Sequence, residues 1–156
     1  MTQDTRDTWD GRDGQDGQDV VRRYLKALND RDGDTLMAMI APDAVFTIPG
    51  DHPLAGTWRG LPEIVERFML PMGGLFAPDA PYVTEVTGTV AEGDRVVVFC
   101  TSRATTRGGE PYTMDAAVLF TVRDGRIAGM REYFDTQYFT HMLFRDPAGP
   151  GHVAGP

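Results

Sequence analysis

The chain reads as a single α+β domain, with helical periodicity in its first half and long alternating runs joined by tight turns in its second. Val20, Val21, Tyr24, Leu25 and Leu28 recur at helical spacing. From Ala80 onward, the runs 82–92, 95–106, 111–123 and 126–135 are separated by Gly93-Asp94, Arg107-Gly-Gly109 and Asp124-Gly125. Asp-Gly between two alternating runs is a hairpin signal, because both residues accept a positive φ. A length of 156 residues with 41% hydrophobic and 24% charged residues suits one continuous core.

The elements follow in order. Residues 1–18 form an acidic Asp-x-x repeat with almost nothing to bury, which predicts a disordered tail. Its Asp-Gly spacing lacks the ligand order and terminal Glu of a calcium loop. Asp19 is placed to cap the first helix, which ends at Gly33. Asp34 is placed to cap a short second helix bearing Leu36, Met37 and Ile40. Ala44-Val-Phe-Thr-Ile48 predicts a strand stopping at Pro49-Gly50. A loop, Asp51-His-Pro-Leu-Ala-Gly56, leads through Trp58 to Pro62, a first-turn residue for a third helix carrying Ile64, Val65, Phe68 and Met69. The four strands come next, then a helix at about 136–144 that sets Tyr138, Phe139 and Met142 against the body. The domain spans 19–145, and residues 146–156 form a loose Pro/Gly tail.

Composition excludes several function classes. A net charge of −8 argues against a nucleic-acid partner, since phosphate binding needs a basic face. No apolar run is long enough to span a membrane, and the polar N-terminus predicts no targeting peptide. A single cysteine, Cys100, fits a reducing compartment, so a cytoplasmic location is expected. Cys100 lies among Val96–Phe99 with no histidine to activate it and reads as a small buried hydrophobe. His141 and His152 lack metal-ligand spacing, so no metal is expected. No phosphate-cradling or nucleotide motif is present in the sequence.

Strand parity locates a candidate site. Along 112–122 the even positions, Tyr112, Met114, Ala116, Val118, Phe120 and Val122, form the covered face. In the last run Met130, Glu132 and Phe134 share one face, while Arg131, Tyr133 and Asp135 share the other. Glu132 is therefore a carboxylate among large apolar residues on the helix-covered side. An ionised carboxylate there must be paired, hydrated or protonated. Two readings stand: an acid/base group working near neutral pH, or a structural glutamate bridged to Arg103, Arg131 or a backbone N–H. Asp115 has outward parity. His52 is open to two readings as well, an acid/base group at a pocket mouth or a solvated loop residue.

Val20-Val-Arg-Arg-Tyr-Leu-Lys-Ala-Leu-Asn29, Ala41-Pro-Asp-Ala-Val-Phe46, Pro53-Leu-Ala-Gly-Thr-Trp-Arg-Gly60 and Phe120-Thr-Val-Arg-Asp-Gly-Arg-Ile127 together resemble the NTF2-like superfamily, with its ketosteroid isomerase and SnoaL-like members. The resemblance implies a cone: a curved antiparallel sheet with three N-terminal helices covering one face and an apolar pocket inside. It implies fold more sharply than reaction. Tyr24 matches the tyrosine that donates to the substrate oxyanion in ketosteroid isomerases. That family's base aspartate falls at Ile48 and its second oxyanion acid at Val118, so their route to isomerisation is not implied. Gly129-Met-Arg-Glu-Tyr-Phe-Asp135 resembles a segment of limonene-epoxide-hydrolase-like enzymes and puts Glu132 where they carry a catalytic aspartate. Their tyrosine and asparagine fall at Phe46 and Ile48. Their Arg-x-Asp pair falls near Cys100 and Ser102, or at Thr101 and Arg103.

The expected function is cofactor-free acid/base chemistry on an apolar, oxygenated molecule of polyketide type: cyclisation, isomerisation or dehydration. Glu132 moves the proton, and Tyr24, His52 or Ser102 polarises an oxygen. Phe46, Ile48, Trp58, Phe68, Met114, Val118 and Phe134 fix the pose, as does Ser102 if it contacts the substrate. Epoxide opening and non-catalytic ligand binding are the alternatives. Ala117, Leu119 and Tyr133 on the outward face suggest a homodimer.

Overall fold

The computed structural model describes residues 11–145; the first ten residues of the expected acidic tail and the Pro/Gly tail lie outside them. Helix α1 (Gly11–Asn29) is followed by α2 (Gly33–Met39), strand β1 (Ile40–Ile48) and strand β2 (Gly56–Arg59). A helical segment comprises α3 (Leu61–Ile64), a π-helical turn (Val65–Met69) and α4 (Leu70–Gly73). Strands β3 (Val83–Glu92), β4 (Arg95–Thr105), β5 (Pro111–Arg123) and β6 (Arg126–Phe134) come next, and α5 (Thr136–Leu143) closes the domain.

The six strands form one curved, open sheet in the order β2-β1-β6-β5-β4-β3. Strands β3 to β6 form the expected antiparallel meander, whereas β1 joins β6 in parallel, so the sheet is mixed. The β5–β6 turn places Asp124 at φ 51° and Gly125 at φ 72°, the paired left-handed geometry that Asp-Gly accepts readily. Parity holds: Tyr112, Met114, Val118 and Phe120 are buried, while Thr113 and Asp115 face outward.

Helix α1 corrects one expectation. It starts at Gly11, so residues 11–18 are helical and Asp19 lies inside the helix rather than capping it. The reason is packing. Gly14 and Gly17 are buried against the sheet, where added Cβ atoms would lie 3.6 Å from Ala91 Cβ and 3.2 Å from Val96 Cγ2. A side chain at Gly17 would hold the helix off β4. At the other end, Asn29 grips Thr84 of β3 twice: its Nδ2 donates to the Thr84 carbonyl at 2.9 Å, and its Oδ1 accepts from the Thr84 N–H at 2.8 Å.

Smaller corrections follow from local bonding. Asp32, not Asp34, caps α2, accepting from the Thr35 N–H at 3.1 Å, and Ile40 belongs to β1. The four residues of β2 are extended through pairing with β1, which sets Trp58 opposite Phe46. The third helix slips at Val65–Met69, where the Leu70 N–H reaches back to the Val65 carbonyl. Pro71, which follows, has no N–H to return to the ladder. The core lies between the helices and the sheet's inner face, with Phe46, Phe120, Ile64 and Ile127 fully buried.

Candidate functional site

The inner face of the sheet is built in cross-strand rows. One row runs Trp58, Phe46, Met130, Phe120, Val96. The next sets Glu132 opposite Val118 and then Val98. Beyond it lie Phe134, Ala116 and Cys100, and then Met114, Ser102 and Thr84. Glu132 occupies the seam between two apolar clusters. On one side Met130, Val118, Phe46 and Phe68 pack together, and on the other Met114, Tyr112, Phe76 and Phe139 do so, with Phe134 touching both.

Among the described residues nothing donates a hydrogen bond to the Glu132 carboxyl, and no arginine bridges to it. Arg103 pairs instead with Glu85 at 3.0 Å. The structural reading of Glu132 as a bridged carboxylate is therefore not what the molecule shows. Glu132 is half-buried on the inner face of the sheet. Desolvation alone raises its pKa to about 7.

The Glu132 charge bears on three phenols. Tyr24 reaches the sheet from α1 with its ring edge-on to Phe120, centroids 5.7 Å apart. Burial, and then the Glu132 charge, raise its pKa well above the ordinary phenol value, so it stays a neutral donor. Tyr82, just before β3, packs its ring against Phe76 at 5.0 Å. Burial raises its pKa to about 12, with the Ser102 hydroxyl acting in the opposite sense and the Glu132 charge adding to the rise. Tyr112 on β5 is raised too, by burial first and then by Tyr82, Tyr138 and Glu132. The Cys100 thiol is pushed to about 11 by burial, then by Glu132 and Asp115, which keeps it an inert thiol.

The expected site residues divide into groups. Val118 lies directly opposite Glu132, Phe134 is next on the same face of β6, and the Glu132 charge bears on Tyr24, whereas Ser102 sits two rows away, opposite Met114. Phe46 and Phe68 pack edge-to-face at 6.3 Å, within the same buried cluster as Ile48. Trp58 joins them, with the Arg67 guanidinium 5.6 Å from its ring centroid and its buried indole N–H without a hydrogen-bond partner among the described residues. Met114 belongs to the cluster under α5. His52 does not serve the site: its Nε2 bonds the Pro49 carbonyl at 2.9 Å, and its Nδ1 accepts from the Leu54 N–H at 3.2 Å. Both ring nitrogens are thus engaged by backbone, which fixes the neutral Nε2–H tautomer. The ring packs on Phe139 at 4.7 Å and stacks on Phe144 at 5.7 Å, so His52 joins its loop to α5.

Sequence reasoning passed over Tyr82 and Tyr112. Tyr112 was already on the inward parity, and Tyr82 shares the parity of Thr84, so the alternation carried the signal for both. On the opposite face of the sheet a shallow trough of about 470 Å³ is lined by Phe99, Thr101, Asp115, Ala117 and Tyr133 among others. It lies away from Glu132. Its carboxylate, Asp115, accepts from Thr101 Oγ1 at 2.6 Å and is spoken for. Among the described residues no cluster of His, Cys, Asp and Glu is arranged to hold a metal ion, and no helix is long and apolar enough to cross a membrane.

A curved six-stranded sheet with N-terminal helices on its inner face is the NTF2-like fold. Residues 21–130 match the SnoaL-like domain, and the chain belongs to that family. An uncharacterized protein of Mycobacterium tuberculosis is 29% identical over 116 residues, covering 74% of this chain and 86% of the relative. Among solved structures, an NTF2-like protein from Burkholderia xenovorans is 25% identical, with a TM-score of 0.66 over 83% of this chain and 97% of its own. TerC, co-crystallized with polyporic acid, is 26% identical, with a TM-score of 0.71 over 83% of this chain and 99% of its own. An epoxide hydrolase from M. tuberculosis, resembling the limonene-epoxide hydrolases, shares the fold at 23% identity and a TM-score of 0.66, over 85% of this chain and 92% of its own.

Proposed function

We propose that the protein is a SnoaL-like enzyme that relocates a proton within an apolar, oxygenated small molecule, in a cyclisation, isomerisation or dehydration. The observation that carries this reading is Glu132: without a hydrogen-bond or ion-pair partner among the described residues, set between two apolar clusters, and held by desolvation at a pKa of about 7. A carboxyl poised there populates both protonation states near neutral pH, the condition for an efficient general base that later acts as the acid. In the forward step the carboxylate takes a proton from carbon beside a carbonyl. The C–H electron pair moves into the carbonyl, and the negative charge forms on oxygen. Tyr24, neutral and buried, supplies a donor for that oxygen. The proton then returns from Glu132 to a different atom, so the step balances within one substrate. The flanking Met130, Val118 and Phe134 exclude water and keep the carboxyl desolvated. Likeness to TerC supports a small organic molecule as occupant.

Epoxide opening by paired carboxylates is less well supported, since no second carboxylate or arginine acts on Glu132 among the described residues. The test is exchange of α-protons for deuterium in a panel of aromatic ketones and β-dicarbonyls, followed by proton NMR. Wild-type protein is expected to accelerate exchange in a subset of the panel. Glu132→Gln is expected to lose that acceleration by roughly a hundredfold or more, the scale of general acid/base catalysis. A protein that binds panel members without exchanging any of them, or a glutamine variant with undiminished exchange, defeats the proposal.

A further inference from the structure

The outer face of the sheet is built in rows of its own. Gly88, Phe99, Ala117 and Tyr133 form the middle row. On one side of it lie Glu85, Thr101 and Asp115, and on the other Val90, Val97, Leu119 and Arg131. Val90, Phe99 and Tyr133 are 60%, 45% and 52% exposed. They stand close together with half-buried Val97, Ala117 and Leu119 between them, and a contiguous apolar patch of this kind marks an interaction surface. The trough of about 470 Å³ lies over Ala117, the small residue between the Phe99 and Tyr133 side chains.

The charges of these rows say what covers them. Glu85 is held by Arg103 at 3.0 Å. Asp115 accepts from the Thr101 hydroxyl but has no cationic partner among the described residues. The Arg131 guanidinium has neither an ion pair nor a hydrogen bond among them, and both residues are exposed. They cannot meet within one chain. Arg131 stands opposite Leu119, four residues along β5 from Asp115, which puts the two about 14 Å apart at ordinary strand rise and spacing. A cation and an anion set apart on either side of an apolar row, each lacking its counterpart, complement a second copy of the same face.

We propose that this face is the interface of a homodimer whose two-fold axis lies along the Phe99–Ala117–Tyr133 row, with Arg131 of each copy paired to Asp115 of the other. Such an axis sets Phe99, Ala117 and Tyr133 against their own counterparts. It lays the Thr101–Asp115 row of one copy over the Val97–Leu119–Arg131 row of the other. Arg131 then stands one strand aside from its target, about 5 Å, a gap that an arginine side chain spans. The strands of the two sheets run nearly aligned, as packed sheets do. Nothing in this arrangement depends on the chemistry of Glu132, which lies on the opposite face.

The experiment is sedimentation equilibrium of the full chain and its variants. Wild-type protein is expected to be a dimer. Ala117→Arg sets like charges against each other on the axis and is expected to yield monomer. Arg131→Asp and Asp115→Arg, each alone, replace both reciprocal pairs by like charges and are expected to weaken the dimer about a hundredfold. Mixed together, these two variants are expected to form a heterodimer of near wild-type affinity, since each then meets the opposite charge. That rescue also shows both variants to be folded. Arg23→Asp, the same charge change on α1, is expected to leave the dimer intact. A wild type that stays monomeric at every concentration reached overturns the proposal, as a face kept for a different protein or a small molecule would. A dimer untouched by Ala117→Arg and by both reversals is built elsewhere and overturns it too. Single reversals that weaken the dimer without rescue in the mixture overturn the pairing, and with it the axis.

Discussion

Replacing Glu132 with glutamine is expected to stabilise the fold at neutral pH and to do nothing for it in acid. The carboxyl has a folded pKa of about 7 against an ordinary value of 4.5, a rise caused by desolvation. The folded state therefore holds this proton more tightly than the unfolded chain does. Between the two values the unfolded state binds fewer protons, so stability falls as pH rises from 4.5 to about 7 and then levels off. At about 1.4 kcal/mol per unit, the cost of the ionised group above pH 7 is about 3 kcal/mol. Glutamine has the shape of the protonated acid and carries no charge to desolvate, so the variant escapes that cost. Urea denaturation of both proteins at matched pH values reads the difference directly. The gain from Glu132→Gln should be near zero at pH 4, grow through the interval and reach about 3 kcal/mol by pH 8. A difference that is constant with pH, or a glutamine variant that is less stable at pH 8, refutes the reasoning, because either requires a donor or cation holding the carboxylate.

Other expectations test the framework around the site. Asn29→Ala removes both bonds to the Thr84 backbone and should cost about 1–3 kcal/mol in a denaturant titration, provided water does not replace them. Gly17→Val should destabilise α1, seen as lost helical circular dichroism and a lower midpoint, since even a Cβ would lie 3.2 Å from the fully buried Val96. His52 should remain the neutral Nε2–H tautomer in nitrogen NMR. Its pKa is lowered, by burial first, so the stability it lends is lost as pH falls below about 6.5, and amide exchange in α5 should quicken there. Phe120→Ala should cost about 3–5 kcal/mol, because it empties a fully buried position that supports the Tyr24 ring.

The sequence was most legible where local chemistry decides the structure. The meander could be read to within a residue or two because Gly93-Asp94 and Asp124-Gly125 are turn residues and the runs between them alternate. The same alternation turned Glu132 inward before any coordinates. Elements fixed by long-range pairing were not visible. Gly56–Arg59 carries no strand pattern of its own and is extended because β1 lies beside it. The parallel β1–β6 pairing leaves no local mark. Residues 11–18 read as a polar repeat, yet Gly14 and Gly17 are the small residues that let a helix close on the sheet. His52 was ambiguous because a loop's backbone geometry, which captures both its nitrogens, has no periodicity to read.

The central claim is that one interior carboxyl is held half-ionised at neutral pH. It is tested most directly by a carbon NMR titration of glutamate side chains, labelled at the carboxyl carbon, in the full-length protein. The resonance absent from Glu132→Gln identifies the residue. The account predicts that this carboxyl titrates at about 7, above the ordinary value of 4.5. If the Glu132 resonance instead titrates at or below 4.5, the carboxylate is solvated or paired, and the proton-carrier role assigned to it is contradicted.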